Sequence, residues 1–269
     1  MKLAVFGNPI EHSLSPSIHT LFAQQTGVQI EYNKILAPVN AFAEITQDFI
    51  AQGGKGFNIT VPFKVDAFNL ATKHSINAQT AGAVNTIKVD GNTLIGENTD
   101  GIGLLNDLTK NLGIDLQNKI VLILGAGGAT RGILLPLLQQ RPAQVMITNR
   151  TASKATQLAK DFESYGETCG FGLEKIKDGP VDIIINATSA SLEKQMPNIT
   201  AGVANNAICY DLMYGKQTPF MDWAQNNNAS MVVDGLGMLV EQAASAFEFW
   251  TGKQPKTQTV IEAIRALND

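Results

Sequence analysis

Two cysteines and three histidines in 269 residues leave little from which to build a disulfide framework or a metal centre. Cys169 and Cys209 are too few for a zinc site, and His12, His19 and His74 are scattered without ligand spacing. A reduced, metal-free, cytoplasmic protein is the expectation. A basic surplus is missing as well: 20 Lys and Arg stand against 24 Asp and Glu, for a net charge of −4. That balance excludes a nucleic-acid surface as the main partner. No apolar run approaches the roughly 20 residues of a membrane span. The N-terminus, MKLAVFGNP, breaks its short apolar run with Gly, Asn and Pro, unlike a secretory signal. No internal repeat or low-complexity tract appears. Hydrophobic residues make up 44% of the chain, enough at this length for two modest cores.

The richest stretch is 119–150, KIVLILGAGGATRGILLPLLQQRPAQVMITNR. An apolar run at 120–124 meets a turn of Gly125, Ala126, Gly127, Gly128 and Ala129. Helical spacing follows at Ile133, Leu134, Leu137 and Leu138, then a second apolar run at 145–148. Strand, tight turn, helix and strand make a βαβ unit with its phosphate-binding turn in place. Glycine lets the backbone turn sharply and approach a pyrophosphate, and a helix from about Gly128 aims free N–H groups at the anion. Thr130 stands where the generic pattern has its third Gly or Ala. At the end of the second strand, where NAD-binding units carry an acid, the chain has Asn149, Arg150 and Thr151, with Lys154 beyond. An acid would repel a 2′-phosphate, whereas Arg offers it a fork of donors, so NADP(H) fits better than NAD. A solvated Arg beside a Thr151 N-cap remains the plainer alternative.

Around this unit the pattern predicts strands at 2–6, 30–36 and 56–60, and helices from Pro16 to Gly27 and over 40–51. A hairpin joins 83–89 to 93–96 through Asp90-Gly91-Asn92. A helix begins at Asp100. Further strands are expected at 181–185, 207–210 and 230–233, and helices after Gly237 and over 260–267. Two closing helices cannot form a domain alone, so they are expected to return to the first. The fold class is therefore α/β with two domains. Residues 1–101 plus 237–269 form an N-terminal α/β substrate domain, and 102–236 a Rossmann-type, doubly wound NADP-binding domain. A cleft between them is the expected site.

Three segments of the first domain carry candidate chemistry. The Ser13 and Ser15 hydroxyls, ahead of a helix, could hold a carboxylate, or Ser15 could simply cap the helix with Pro16 at its first position. In Asn58-Ile59-Thr60-Val61-Pro62-Phe63-Lys64, Asn58 and Thr60 share a strand face, and Pro62 suits the first turn of a helix. Lys64 follows where an amine could act in proton transfer, or could be an exposed side chain at a helix start. Asn85-Thr86 and Asn98-Thr99-Asp100-Gly101 form the third set, in which Asp100 could cap its helix or, beside Lys64, fix and tune that amine.

Taken together the motifs resemble the shikimate dehydrogenase family over almost the whole chain: GNPIEHSLSPSIH, GFNITVPFK, AGAVNT, ENTDG, GAGGATR, NRT, INATS, YDLMYG with TPF, and VDGLGMLVEQAA. The resemblance implies reduction of 3-dehydroshikimate to shikimate with NADPH, on the route to chorismate and the aromatic amino acids. It makes Lys64 the catalytic lysine with Asp100 beside it, and Ser13 and Ser15 the hydroxyls for the substrate carboxylate. Thr60, Asn85, Asp100 and Gln242 become contacts to ring hydroxyls, and Tyr214 a tyrosine near the carboxylate. Gly125, Ala126, Gly127, Gly128 and Ala129 become the pyrophosphate turn. Asn149, Arg150, Thr151 and Lys154 become the 2′-phosphate clamp. Thr188, Leu212, Gly235 and Met238 fall where relatives line the nicotinamide pocket. Two positions depart from the family pattern: Ser191 replaces a frequent glycine, and Leu212 stands where some relatives have Met. The rival readings are a quinate/shikimate dehydrogenase with broader substrate or cofactor use and a non-catalytic NADP-binding module. Monomer and homodimer both suit the chain, and its ends suggest a free-standing enzyme rather than one part of a multifunctional one.

Overall fold

The computed structural model describes residues 1–177, 179–188, 196 and 198–267. The chain divides into two compact units, Met1–Leu104 with Leu239–Asp269, and Leu105–Met238.

The first unit opens with β1 (Lys2–Gly7), α1 (Ser15–Thr26), β2 (Glu31–Leu36), α2 (Phe42–Ala51) and β3 (Gly54–Ile59). It continues through α3 (Lys64–Leu70), a two-residue β4 (Lys73–His74), α4 (Ile76–Ala81), β5 (Thr86–Asp90), β6 (Thr93–Glu97) and the start of α5 (Asp100–Asn106). The sheet runs β2-β1-β3-β5-β6-β4, with β1 parallel to β2 and β3 and the β5–β6 hairpin antiparallel. The hairpin closes through Gly91 and Asn92, Gly91 taking the left-handed φ of 57° that its missing Cβ permits. β5 begins at Thr86 rather than at 83: the Asn85 backbone still bonds Ile59 and Glu97, but the Val84 and Ala83 N–H groups go to Lys64 O and Ala78 O instead of to a strand. Likewise α2 starts two residues later than its periodicity suggests. The short β4 and α4 carry too few residues to show a period.

The core of this unit is an aromatic nest. Phe6 on β1 meets Phe42, Phe49 and Phe57 edge-on, at ring-centroid distances of 6.2, 5.6 and 5.1 Å, an arrangement that aligns ring edges with ring faces. Leu3, Ala246 and Trp250 form a second cluster, in which the Trp250 indole N–H donates to the Ile87 carbonyl at 2.9 Å. Gly56 lies beneath that indole, and a Cβ there would collide with it. Trp250 belongs to α9 (Leu236–Thr251), which with α10 (Gln258–Ala266) closes the chain.

The second unit holds β7 (Ile120–Leu124), α6 (Gly128–Gln139), β8 (Gln144–Asn149), α7 (Ala152–Phe162), β9 (Thr168–Gly172), β10 (Ile183–Asn186), β11 (Ile208–Asp211), α8 (Pro219–Asn226) and β12 (Met231–Val233). Every pairing is parallel, in the order β12-β11-β10-β7-β8-β9. Counted within the unit this is the doubly wound order 3-2-1-4-5-6, whose direction reverses between its first strand, β7, and its fourth, β10. The buried faces of β7 and β10 are continuous aliphatic runs, as two-sided burial demands. β9 escapes sequence reading because its composition, TCGFG, is poor in β-branched residues. It needs that composition, since a Cβ on Gly170 would collide with the backbone of α7 at Ala155. No helix among the described residues is long and apolar enough to cross a membrane.

Phe6→Ala should cost about 3–5 kcal/mol of stability, the usual range for emptying a buried aromatic position, because Phe6 is fully buried among three other rings. Urea denaturation followed by fluorescence measures it; a loss below about 1 kcal/mol would mean the nest collapses to fill the space.

Candidate active site

The first unit gathers its polar residues at the ends of β3 and β5 and the start of α5. β3 delivers Asn58, and the turn after it places Lys64 as the first residue of α3. Pro62 sits in that turn, ahead of the helix rather than within its first turn. Asn85 immediately precedes β5, and Asp100 opens α5. Lys64 Nζ donates to Asp100 Oδ2 at 2.5 Å, the lysine side chain 25% exposed and the carboxylate 10%. Asp100 Oδ1 accepts from Asn85 Nδ2 at 2.8 Å. The carboxylate therefore points at the amine and the amide instead of capping its own helix. The Asp100 backbone N–H is met by Asn98 Oδ1 at 3.1 Å. Asn85 also faces Gln242 Oε1 at 3.4 Å, and Thr99 Oγ1 lies 3.3 Å from the same oxygen. Lys64, Asn85, Asp100 and Gln242 thus form one cluster.

Ser15 is the first residue of α1 and Pro16 the second; the N-cap position is Leu14, which makes no side-chain cap bond, and Ser13 Oγ accepts from the Ser15 N–H at 3.3 Å. The capping reading of Ser15 fails, because the residue lies inside the helix and its hydroxyl accepts from Ser13 Oγ at 3.2 Å. Thr60 packs its methyl group over Gly7, where an added Cβ would approach it to 2.5 Å.

Beneath this cluster lie residues without a sequence signal. His19 is fully buried, stacked on Tyr32 at 4.4 Å, with its Nε2 3.3 Å from Asn58 Oδ1. Burial pulls its pKa down to about 3, the Asn58 contact opposing only in part. Burial likewise pushes the Tyr32 phenol up. His19 reads from sequence as one scattered histidine, and Tyr32 sits in the otherwise polar strand EYNKIL; only the side-chain alternation of β2 hints that Tyr32 faces inward.

In the second unit the glycine turn sits at the carboxyl end of β7, where the strand order reverses. Gly125 has φ 106°, its N–H donates to Thr148 O at 2.7 Å, and a Cβ would come within 3.2 Å of Thr188 Cγ2. Gly127 is the N-cap of α6, and among the described residues neither it nor Gly128 has any atom within 4 Å of a hypothetical Cβ. Thr130 explains its own departure from the glycine pattern: fully buried, it donates Oγ1–H to Gly125 O at 2.7 Å and closes the turn from inside. Arg150, Thr151 and Lys154 are exposed, and among the described residues neither Arg150 nor Lys154 makes an ion pair. Thr151 occupies the N-cap position of α7, yet its hydroxyl makes no cap bond. Asn149 Nδ2 donates to Thr151 O at 3.1 Å, bracing the loop.

Thr188 donates through both N–H and Oγ1–H to Asn186 Oδ1, at 3.2 and 2.7 Å, and Asn186 donates to Asp211 Oδ1 at 3.2 Å. Leu212 and Gly235 touch: a side chain at 235 would collide with the Leu212 backbone. The Met238 N–H reaches the Tyr210 hydroxyl at 3.3 Å, which itself donates to Asp107 at 2.6 Å. Burial raises the pKa of Tyr210 well above the ordinary phenol value, with Asp107 adding to it. Burial also raises that of Tyr214. The Ser191 departure lies outside the described residues.

Three family models match segments of the chain: the shikimate dehydrogenase substrate binding domain over residues 5–87, shikimate / quinate 5-dehydrogenase over 107–206, and the shikimate 5'-dehydrogenase C-terminal domain over 235–265. A shikimate dehydrogenase (NADP(+)) from Ruthia magnifica is 67% identical over 265 residues, spanning 98% of this chain and 99% of that protein. The chain belongs to the shikimate dehydrogenase family. Among solved members and neighbours, an Ael1 enzyme from Pseudomonas putida is 45% identical with a TM-score of 0.92, each chain covered to 97%. Shikimate 5-dehydrogenase from Thermus thermophilus, in complex with NADP(H) and shikimate, is 33% identical with a TM-score of 0.88, each chain covered to 99%.

The buried neutral His19 has a pH signature. An unfolded histidine takes up its proton near pH 6.5, but the folded one does so only near 3. Between those values the unfolded state binds more protons, so stability is full above about 6.5 and falls on acidification, with a limiting slope of about 1.4 kcal/mol per pH unit. Denaturation at stepped pH should show this slope in wild type and a shallower one in His19→Gln; parallel curves would contradict it.

Proposed function

We propose that the chain catalyses the reversible reduction of 3-dehydroshikimate to shikimate with NADPH. The first unit serves as the substrate-binding and catalytic domain and the second as the NADP-binding domain. What supports this above all is the Lys64–Asp100 pair beside Asn85 and Gln242, in a chain of this family.

The residues of the second unit fit a 2′-phosphorylated dinucleotide. The open Gly127 and Gly128 positions leave room for a pyrophosphate at the N-terminus of α6. Arg150 and Lys154 offer exposed positive charge, and Thr151 a hydroxyl without a cap bond, to the phosphate. Thr188, Leu212, Gly235 and Met238 would border the nicotinamide. When bound, NADPH supplies the hydride.

Lys64 supplies the proton. As the substrate ketone is reduced, negative charge grows on its oxygen, and the ammonium delivers a proton there. In the oxidative direction the neutral amine removes the proton from the hydroxyl. Asp100 orients Lys64 and, with Thr60, Asn85 and Gln242, binds ring hydroxyls. Ser13 and Ser15 donate to the substrate carboxylate, with Tyr214 near the same group. The enzyme is proposed to work in the cytoplasm, on small molecules alone, as a monomer or homodimer.

Lys64→Ala should lower kcat by at least about 10²-fold, the lower range for a general acid–base group, with a far smaller change in KM. Turnover is read from the absorbance of the reduced nicotinamide, with quinate and NADH run in parallel. Nearly intact turnover would remove Lys64 from the mechanism. Arg150→Ala should weaken NADPH use by roughly 10- to 100-fold, the effect of a lost charge-assisted hydrogen bond, and leave NADH nearly untouched. Equal losses with both cofactors would contradict a phosphate clamp.

A further inference from the structure

A buried series of hydrogen bonds runs through the first unit into the Lys64–Asp100 pair, and all of its links point the same way. Asn58 Nδ2 faces the Asn85 carbonyl at 3.3 Å, an atom that can only accept, so the orientation of the Asn58 amide is settled. Its Oδ1 then accepts from the Tyr32 hydroxyl at 2.6 Å and from His19 Nε2–H. Asn58 Nδ2 also donates to Thr86 Oγ1 at 2.9 Å. With its oxygen occupied, the Thr86 hydroxyl donates onward to Asn85 Oδ1 at 3.0 Å. That oxygen also accepts from the Thr99 backbone N–H at 2.9 Å, which leaves Asn85 Nδ2 facing Asp100.

We propose that Thr86 is a positioning residue for the catalytic pair: its hydroxyl passes the orientation of Asn58 to Asn85, and so holds the Asn85 amide against Asp100. The role rests on the proposed Lys64 chemistry. Thr86 itself is fully buried, and among the described residues its hydroxyl meets the proposed substrate-binding residues at Asn85 alone. Chains of aligned donors strengthen one another in a low-dielectric interior, and a break leaves a buried donor without its partner. The other end of the series explains the polarity. His19 Nδ1 has no hydrogen-bond partner among the described residues, so the ring's one proton is left for Nε2, where Asn58 accepts it.

The test compares Thr86→Val, which keeps the shape and removes the hydroxyl, with Thr86→Ser, which keeps the hydroxyl. Wild type, Val and Ser are assayed for kcat and KM with dehydroshikimate and NADPH, together with NADPH affinity and thermal midpoint. Val should lose about tenfold or more in kcat, in line with slight misplacement of a catalytic group, with NADPH affinity unchanged. Ser should recover most of that loss. Val within twofold of wild type, or Ser as impaired as Val, overturns the proposal. If Val yields no folded protein, Thr86→Cys, with a poorly donating thiol of similar size, takes its place and must fall below Ser; equality overturns the proposal. A wild type without turnover would sink the proposed reaction and this role with it, whereas an active wild type matched by Val sinks the role alone.

Discussion

A lysine ammonium held 2.5 Å from a carboxylate that is 10% exposed is a costly thing to build. Taking either charge from water is unfavourable, and mutual attraction offsets that only when the remaining hydrogen-bonding capacity is also met. Much of the first unit is arranged around that condition. Asp100 Oδ2 takes Lys64, Oδ1 takes the Asn85 amide, and the helix N–H beneath Asp100 goes to Asn98. None of these partners is close in sequence to Lys64; Asn85 arrives just ahead of β5, and Asn98 and Asp100 at the entry to α5. The mixed sheet matters here because it brings the ends of a parallel strand and an antiparallel hairpin to one edge.

The second unit is governed by a different constraint, the approach of backbone to backbone. Gly125 lies against the loop after β10, Gly170 against α7, and Gly235 against Leu212. Each contact lets a layer sit closer than a side chain would allow. Thr130 shows how local the requirement is. The generic pattern asks for a small residue there, but a threonine whose hydroxyl bonds back to Gly125 meets the packing need and ties the turn together. An isolated pattern match would score Thr130 as a defect, although it supports the turn.

Much of this was legible in the sequence, and what was not had physical reasons. The βαβ unit was readable because aliphatic runs and a glycine turn are properties of adjacent residues. Lys64 and Asp100 were readable as candidates, yet their meeting was not, since thirty-six positions separate them. The capping readings of Ser15 and Asp100 followed from statistics of helix starts. Ser15 gave way because it lies inside α1, where Ser13 Oγ takes its N–H, and Asp100 because tertiary partners, Lys64 and Asn85, prevailed over a local backbone bond. His19 and Tyr32 were invisible for the same reason: their role is set by stacking and by Asn58, across elements with no shared period. β9 was missed because it was selected for close approach to α7 rather than for β-propensity.

The two units treat positive charge in opposite ways, and the contrast follows from what each would hold. Lys64 is paired, half-buried and aimed by a carboxylate that is itself aimed by an amide. The proton transfer proposed for Lys64 takes place at one atom, so direction matters more than field, and an oriented surround serves direction. Arg150 and Lys154 are exposed, with no ion pair among the described residues. A phosphate carries its own charge and several acceptor oxygens, so a cation left unpaired in solvent keeps its full attraction for the arriving anion. A carboxylate beside Arg150 would stiffen the side chain but cancel the field proposed to select a phosphorylated ribose. A lysine at position 64 without Asp100 would keep its charge but lose its aim. Each arrangement would therefore fail at the other's task.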